Sequence, residues 1–296
     1  MGRGQQLETG ASGVTATRRA EIVARGAAAV KAAVLSPSDD AKAAILGMNL
    51  DPVDIGYDVR THAEIEGEAA MAAEKWGGPA AGAVKGAFGP SLNDVRAACG
   101  VPQGESAEIQ VVFDRSGSVH GKPALNREQI LMAEQWADLE LQSRKTQGPS
   151  SQISVGLSGY DGSWKNATVY EIKPAGGPHN DPDEERNRRT INYMSQLGGG
   201  GTPTTQGVVH GIRALDKSSA DAKFLVVVTD GRANQVETCA LAVAEATQEG
   251  VNVIGALQDP DQDTSFMDEQ FGAANWFAIN DAQEAPRAFL EHMFSY

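Results

Sequence analysis

Val111-Val112-Phe113-Asp114-Arg115-Ser116-Gly117-Ser118 decides how the rest of the chain is read. An apolar run ending in a carboxylate and two alternate hydroxyls predicts a buried strand that breaks into a polar turn, because strands covered on both faces read as near-continuous apolar stretches. Two distant segments supply companions for that turn. Gly201-Thr202-Pro203-Thr204 follows a glycine run and opens a helical pattern, and Val226-Val227-Val228-Thr229-Asp230-Gly231 is a second apolar strand ending in an acid. Asp114 and Asp230, with the hydroxyls of Ser116, Ser118 and Thr202, make an all-oxygen set carrying about two negative charges, which suits a small hard dication. The bland alternative is a Ser/Asp turn that caps the next helix. Order and context favour the metal: strand, Asp-x-Ser-x-Ser, helix; then a Gly-Thr-Pro-Thr helix start; then a strand closing on Thr-Asp-Gly. Mg²⁺ or Mn²⁺ is the expected ion.

Working outward, strand and helix patterns alternate. Strands are expected at Glu108 to Phe113, Ile153 to Leu157, Thr168 to Ile172, Phe224 to Val228, Val251 to Leu257 and Trp276 to Ile279. Helices are expected at Arg127 to Leu141, Arg186 to Leu197, Thr204 to Leu215, Glu237 to Gln248, around Phe266 to Phe271, and in a last segment to Phe294. The connection through Gly159 and Trp164 is short enough to force an antiparallel hairpin. The fold class is therefore α/β: a doubly wound, mainly parallel six-stranded sheet with one antiparallel edge strand. Ligands bind such sheets outside the carboxyl ends of the strands, where Asp114 and Asp230 both fall.

The same logic places other residues on that edge. Tyr160 and Trp164 leave the end of a parallel strand and are candidate contacts for a protein partner, the alternative being that Trp164 packs on its hairpin. Arg232 and Asn234 follow Asp230 and are further candidates; His120 follows Ser118. Asp259-Pro260-Asp261-Gln262-Asp263 repeats acids as a calcium loop does, but Thr264 stands where glycine is needed and Gln270 where the bidentate glutamate belongs, so it reads as an acidic loop whose Asp263 caps the next helix.

The three motif segments together resemble a von Willebrand factor A (vWA) domain with a complete metal-ion-dependent adhesion site (MIDAS). The resemblance covers roughly residues 106 to 296. It implies a Rossmann-like fold in which Ser116, Ser118 and Thr202 touch the metal directly or nearly so, with Asp114 and Asp230 bonded to it directly or through water. It also implies a protein partner that supplies an Asp or Glu carboxylate to the ion. The stretch from Ser116 to Pro123 is similar to the vWA subunit of cobaltochelatase, in the chelatase and MoxR-associated group, which implies an AAA+ ATPase as partner.

The 296 residues divide into an expected disordered lead, 1–17, a helical Ala/Gly-rich region, 18–104, and the vWA domain, 105–296. Helical patterns in the middle region include Thr17 to Val34, a short one through Leu46, and His62 to Trp76, with Met48 to Tyr57 reading as a loop. A net charge of -14 argues against nucleic-acid or acidic-membrane binding. The first hundred residues hold 10 basic and 12 acidic side chains and the remainder 15 and 27, so the metal-bearing part is the acidic one. Two cysteines, Cys99 and Cys239, are too few for a disulfide framework or a zinc knuckle. With no signal-peptide pattern and no apolar run of the roughly 20 residues that span a bilayer, the expectation is a cytoplasmic protein. No Gly-x-Ser-x-Gly or phosphate-loop motif and no evident general base accompany the site. The reading is a metal-dependent binding module rather than an enzyme; the alternatives are a structural or assembly component, viral ones included, an adhesion protein, and a metal-dependent hydrolase.

Overall fold

The computed structural model describes residues 57–76, 105–146, 152–176, 181–259, 264–273, 275–282 and 285–294. Expectations for 1–56 and 77–104, and for the acidic loop at 260–263, lie outside these. In chain order the elements are β1 (Tyr57–Arg60), α1 (His62–Trp76), β2 (Ala107–Asp114), α2 (Gly117–His120), α3 (Pro123–Thr146), β3 (Ile153–Ser163), β4 (Asn166–Lys173), α4 (Asp181–Tyr193), α5 (Thr204–Asp216), β5 (Ala222–Thr229), α6 (Val236–Gln248), β6 (Val251–Gln258), α7 (Ser265–Phe271), β7 (Trp276–Ile279) and α8 (Ala285–Phe294).

Seven strands form one sheet in the order β1-β4-β3-β2-β5-β6-β7. β2, β3, β5, β6 and β7 run parallel, and β3 pairs antiparallel with β4. Both faces of the central strands are apolar. Ile109, Val111 and Phe113 of β2, with Phe224, Val226 and Val228 of β5, belong to a core built with α3, α4 and α8. Val112, Leu225 and Val227 point the other way, into a core built with α5, α6 and α7. This is the two-sided burial that the valine runs predict, and the doubly wound α/β class holds.

The sheet has one more strand than expected. β1 pairs parallel with β4, so β4 is an inner strand and the edge belongs to β1. Four residues after Gly56 are too short a run to show a period, and Tyr57 is held mainly by tertiary contacts: its ring meets His210 edge-on, and its hydroxyl accepts from Arg213 at 3.3 Å. α1 follows at the expected bounds. Its first turn is tied by Thr61 and Glu64, the Thr61 N–H donating to the Glu64 carboxylate at 2.8 Å, and it buries Ile65 and Ala69.

β3 also runs on to Ser163, leaving Trp164 and Lys165 as a two-residue turn. Ser158, Gly159, Asp161 and Gly162 have little intrinsic strand preference, but antiparallel pairing with β4 holds them extended beyond an irregularity at Leu157/Ser158. Below that irregularity β3 has no β4 partner, and side chains replace it. Glu140, wholly buried on α3, accepts from the Val155 N–H at 3.2 Å; Lys173 donates to the Val155 carbonyl at 2.7 Å and pairs with Glu140.

Candidate metal centre

From β2 the chain proceeds outward to β3 and β4, then returns to β5 on the other side of β2. The crevice between the ends of β2 and β5 is thus the switch point where open α/β sheets hold ligands. Asp114 is the last residue of β2 and Asp230 follows the last residue of β5. Both are buried, at 0% and 2% exposure.

Hydrogen bonds bring four of the five expected ligands into one chain. The Ser118 hydroxyl donates to Asp230 Oδ1 at 2.8 Å, and the Ser116 and Ser118 hydroxyls are 2.9 Å apart. Asp114 Oδ1 accepts the Ser116 N–H at 2.8 Å, and its Oδ2 accepts the Thr229 hydroxyl at 2.8 Å. Ser116 is buried while Ser118 is exposed, so the group opens to solvent on the Ser118 side. Thr202 arrives on the neighbouring loop: the Gly117 N–H donates to the Gly200 carbonyl at 2.6 Å, two residues before it. Asn234 clasps Thr202 from behind, its side-chain oxygen accepting the Thr202 N–H at 3.2 Å and its own N–H donating to the Thr202 carbonyl at 2.9 Å.

The glycine run makes this approach feasible. Gly198 has φ 113°, and a Cβ there would stand 2.2 Å from the Arg115 carbonyl oxygen. The Gly199 N–H donates to that same oxygen at 3.0 Å. Asp161 of β3 accepts the Gly200 N–H at 3.3 Å and the Tyr170 hydroxyl at 2.9 Å.

Electrostatics set the chemistry. Burial, reinforced by neighbouring Asp230, pushes the Asp114 carboxyl up to about 7, and burial likewise raises Asp230 against the opposing bond from Ser118. Two carboxylates crowded in a poorly solvated crevice resist joint ionisation, and a dication among them reverses that preference. The Asp230 Oδ2 atom is buried and has no hydrogen-bond partner among the described residues, as expected of an acceptor reserved for a bound group. Among the described residues no three His, Cys, Asp or Glu side chains cluster, so an ion here would rest on two carboxylates and hydroxyls. The residues present fit an oxygen-preferring dication.

The family model of the von Willebrand factor type A domain matches residues 108–284. The chain belongs to the vWA family. Similar solved structures include the von Willebrand domain of the type V pili tip protein Mfa5 from Porphyromonas gingivalis, at 11% identity and TM-score 0.49, covering 65% of this chain and 95% of that one. Proximal thread matrix protein 1 from the mussel byssus, with a zinc-occupied MIDAS motif, has 15% identity and TM-score 0.49, covering 65% and 46%. A von Willebrand factor type A protein from Catenulispora acidiphila has 16% identity and TM-score 0.47, covering 64% and 42%. No curated protein matches the chain.

Four residues expected as partner contacts have different surroundings in this vWA domain. Tyr160 is fully buried, its ring against Gly207 and its hydroxyl donating to Thr204 at 3.3 Å, so it offers no surface. It lies inside the extended β3 rather than at the hairpin tip. Trp164 is at the tip and half-buried, and its carbonyl accepts from Gln206 at 2.9 Å. Arg232 is exposed and pairs with Glu269 at 2.8 Å; Asn234 is exposed but positions Thr202. Asp259, beside the centre, adopts φ 64° and pairs with Lys122 at 3.1 Å. Cys239 is buried, and burial pushes its thiol up to about 12, so it is unreactive at neutral pH.

Arg115, Thr229 and Asp161 were not singled out in the sequence. Thr229 was legible as part of Thr-Asp-Gly; nothing local marks Arg115 or Asp161.

Proposed function

We propose that this vWA domain is a metal-dependent protein-binding module. In this reading Asp114, Ser116, Ser118, Thr202 and Asp230 form a complete MIDAS holding Mg²⁺ or Mn²⁺, and a partner's Asp or Glu carboxylate takes the remaining position. The observation that carries it is the convergence of two buried carboxylates and the Ser116–Ser118 hydroxyl pair at the switch point, with Asp230 Oδ2 unpartnered among the described residues and Ser118 open to solvent. Two carboxylates balance a dication and hydroxyls add no charge, so the ion retains attraction for a further anion. Gly117, Gly199, Gly200 and Gly201 are exposed around the opening and leave room for an approaching side chain. Binding rather than catalysis is supported by the hydroxyls themselves: Ser118 donates to a carboxylate, and among the described residues no hydrogen bond joins Ser116 or Ser118 to a histidine that would activate it.

The natural setting we infer is an intracellular subunit of a larger complex, with an AAA+ ATPase as the partner class, supported by the similarity of Ser116 to Pro123 to the chelatase group. Asp114→Ala and Thr202→Ala test the site. Each is expected to abolish Mg²⁺ binding by calorimetry and Mg²⁺-dependent capture of the partner, while the metal-free melting temperature stays within about 5 °C of wild type, since the ligands sit at loop ends. Normal Mg²⁺ affinity in Asp114→Ala would refute the ligand assignment. Comparing proteins captured in Mg²⁺ and in EDTA by mass spectrometry tests the partner class; ordered self-assembly without an ATPase would favour the assembly reading.

A further inference from the structure

β1 and α1 precede residues 108–284, which carry the vWA match, yet they are built into the same sheet and its flanking layer. β1 lies beside β4 with Arg60 opposite Tyr170, and the Arg60 guanidinium sits over the Tyr170 ring, 5.8 Å from its centroid. Glu68 of α1 pairs with that guanidinium, and its other carboxylate oxygen accepts the Tyr193 hydroxyl of α4 at 3.2 Å. α1 is also fastened to β4 directly, His62 donating from Nδ1 to the Ile172 carbonyl at 2.8 Å. Arg60 is thereby fixed between an acid and a ring.

From Tyr170 the contacts continue to the metal edge. Its hydroxyl donates to Asp161 Oδ1 at 2.9 Å, and Asp161 Oδ2 accepts the Gly200 N–H at 3.3 Å. The carbonyl of the same glycine accepts the Gly117 N–H at 2.6 Å. Gly200 is therefore clamped between Asp161 of β3 and the Asp-x-Ser-x-Ser turn, two residues before Thr202. The loop lies flat on β3 there: a Cβ on Gly200 would stand 2.5 Å from the N and Cα atoms of Gly162, and Gly162 and Gly201 form an antiparallel bridge. Asp161 and Tyr170 are 9% and 8% exposed, so water competes little for their bonds. The neighbouring peptides have anchors of their own, Gly199 on the Arg115 carbonyl and Thr202 on Asn234, so loss of Asp161 would loosen the loop without detaching it.

We propose, on the reading of Thr202 as a metal ligand, that Asp161 is a positioning residue for the metal centre and that β1 and α1 support it through Arg60 and Tyr170. Asp161 acts through the Gly200 peptide and not on the ion. Groups that orient metal ligands from behind typically contribute about 10–100-fold to affinity, and Asp161, one step further out, belongs at the lower end of that range.

The test titrates Mg²⁺ calorimetrically into the full chain and follows amide exchange by NMR in EDTA. Asp161→Ala should weaken Mg²⁺ binding about tenfold and speed exchange of the Gly200 N–H about fivefold or more, with β5 and β6 keeping wild-type protection. Asp161→Asn can keep both bonds, its carbonyl accepting from Gly200 and its amide donating to the Tyr170 oxygen, and should stay within about threefold of wild type. Tyr170→Phe and Arg60→Met remove successive supports and should each weaken Mg²⁺ binding about threefold. Wild-type affinity or wild-type Gly200 exchange in Asp161→Ala would overturn the proposal. So would a loss in Asp161→Asn as deep as in Asp161→Ala, which would assign the effect to charge and not to the clamp. Unchanged affinity in both Tyr170→Phe and Arg60→Met would remove β1 and α1 from it. A wild type that takes up neither Mg²⁺ nor Mn²⁺ would refute the metal reading instead, and Gly200 exchange would still decide the clamp, because no ion takes part in it. Should Asp161→Ala fail to fold, Tyr170→Phe decides by the same two measurements.

Discussion

Arg115 occupies a position of the Asp-x-Ser-x-Ser stretch that the proposed metal site leaves unused, and it carries the loops instead. Its guanidinium, wholly buried, donates to Gln129 at 2.6 Å, Asn126 at 2.6 Å, the Met194 carbonyl at 2.8 Å and the Leu197 carbonyl at 3.2 Å. Burial lowers its pKa to about 10, so it remains a cation at neutral pH. One side chain thereby joins the turn after β2, the start of α3 and the segment leading into the glycine run. Arg115→Met should destabilise the chain by about 2–4 kcal/mol, since stranded buried acceptors cost about 1–3 kcal/mol each and removal of a desolvated charge offsets part of that. Urea melts in EDTA measure the loss, and an unchanged midpoint would mean that the guanidinium does not hold the loop. The contrast with Asp114 explains what was legible at this scale. Acid and hydroxyl types at fixed spacing announce oxygen chemistry in the sequence alone, whereas an arginine whose acceptors lie 79 and 82 residues away announces nothing.

At the scale of elements, legibility followed burial. Strands covered on both faces, such as β5 and β6, and helices with a long apolar stripe, such as α5, came through from periodicity to within two residues. β1 and the second half of β3 did not, because four residues show no period and because Gly159, Asp161 and Gly162 are strand-like only through β4. Placing the hairpin turn too early is also what sent Tyr160 to the surface in the sequence reading. α8 was read correctly as a helix, and Phe289 docks it into the core: fully buried, it meets Trp136 of α3 and Phe224 of β5 edge-on at 5.6 and 6.0 Å. Phe289→Ala should cost about 3–5 kcal/mol. If chemical denaturation shows a loss below about 1 kcal/mol, α8 is docked by other contacts.

Over the whole molecule, the sheet separates two polar regions by the length of its central strands: an acidic, metal-suited edge beyond Asp114 and Asp230, and a cleft near the start of β2 lined by Gln110, Ser158, Glu171 and His210. The first was visible in the sequence because its residues fall at strand ends. The second was not, because Gln110, Ser158 and Glu171 look like ordinary strand residues until register brings them together. His210 gives the cleft side a pH signature. Glu171 at 3.8 Å favours the imidazolium, but that carboxylate is 41% exposed and screened, while burial together with Arg213 and Lys217 favours the neutral ring and brings the folded value to about 4. An unfolded histidine titrates near 6.5. Because the folded value is the lower, the unfolded chain binds the proton first. Nothing is lost above about pH 7, and stability falls as pH drops from about 6.5 to about 4, by about 3 kcal/mol in all. Carboxylates elsewhere titrate in the same range, so the quantity to measure is the difference between wild type and His210→Gln in urea melts from pH 8 to pH 4. The variant should gain on wild type steadily below pH 6.5; parallel curves across that window would show that His210 is protonated as readily in the fold as out of it.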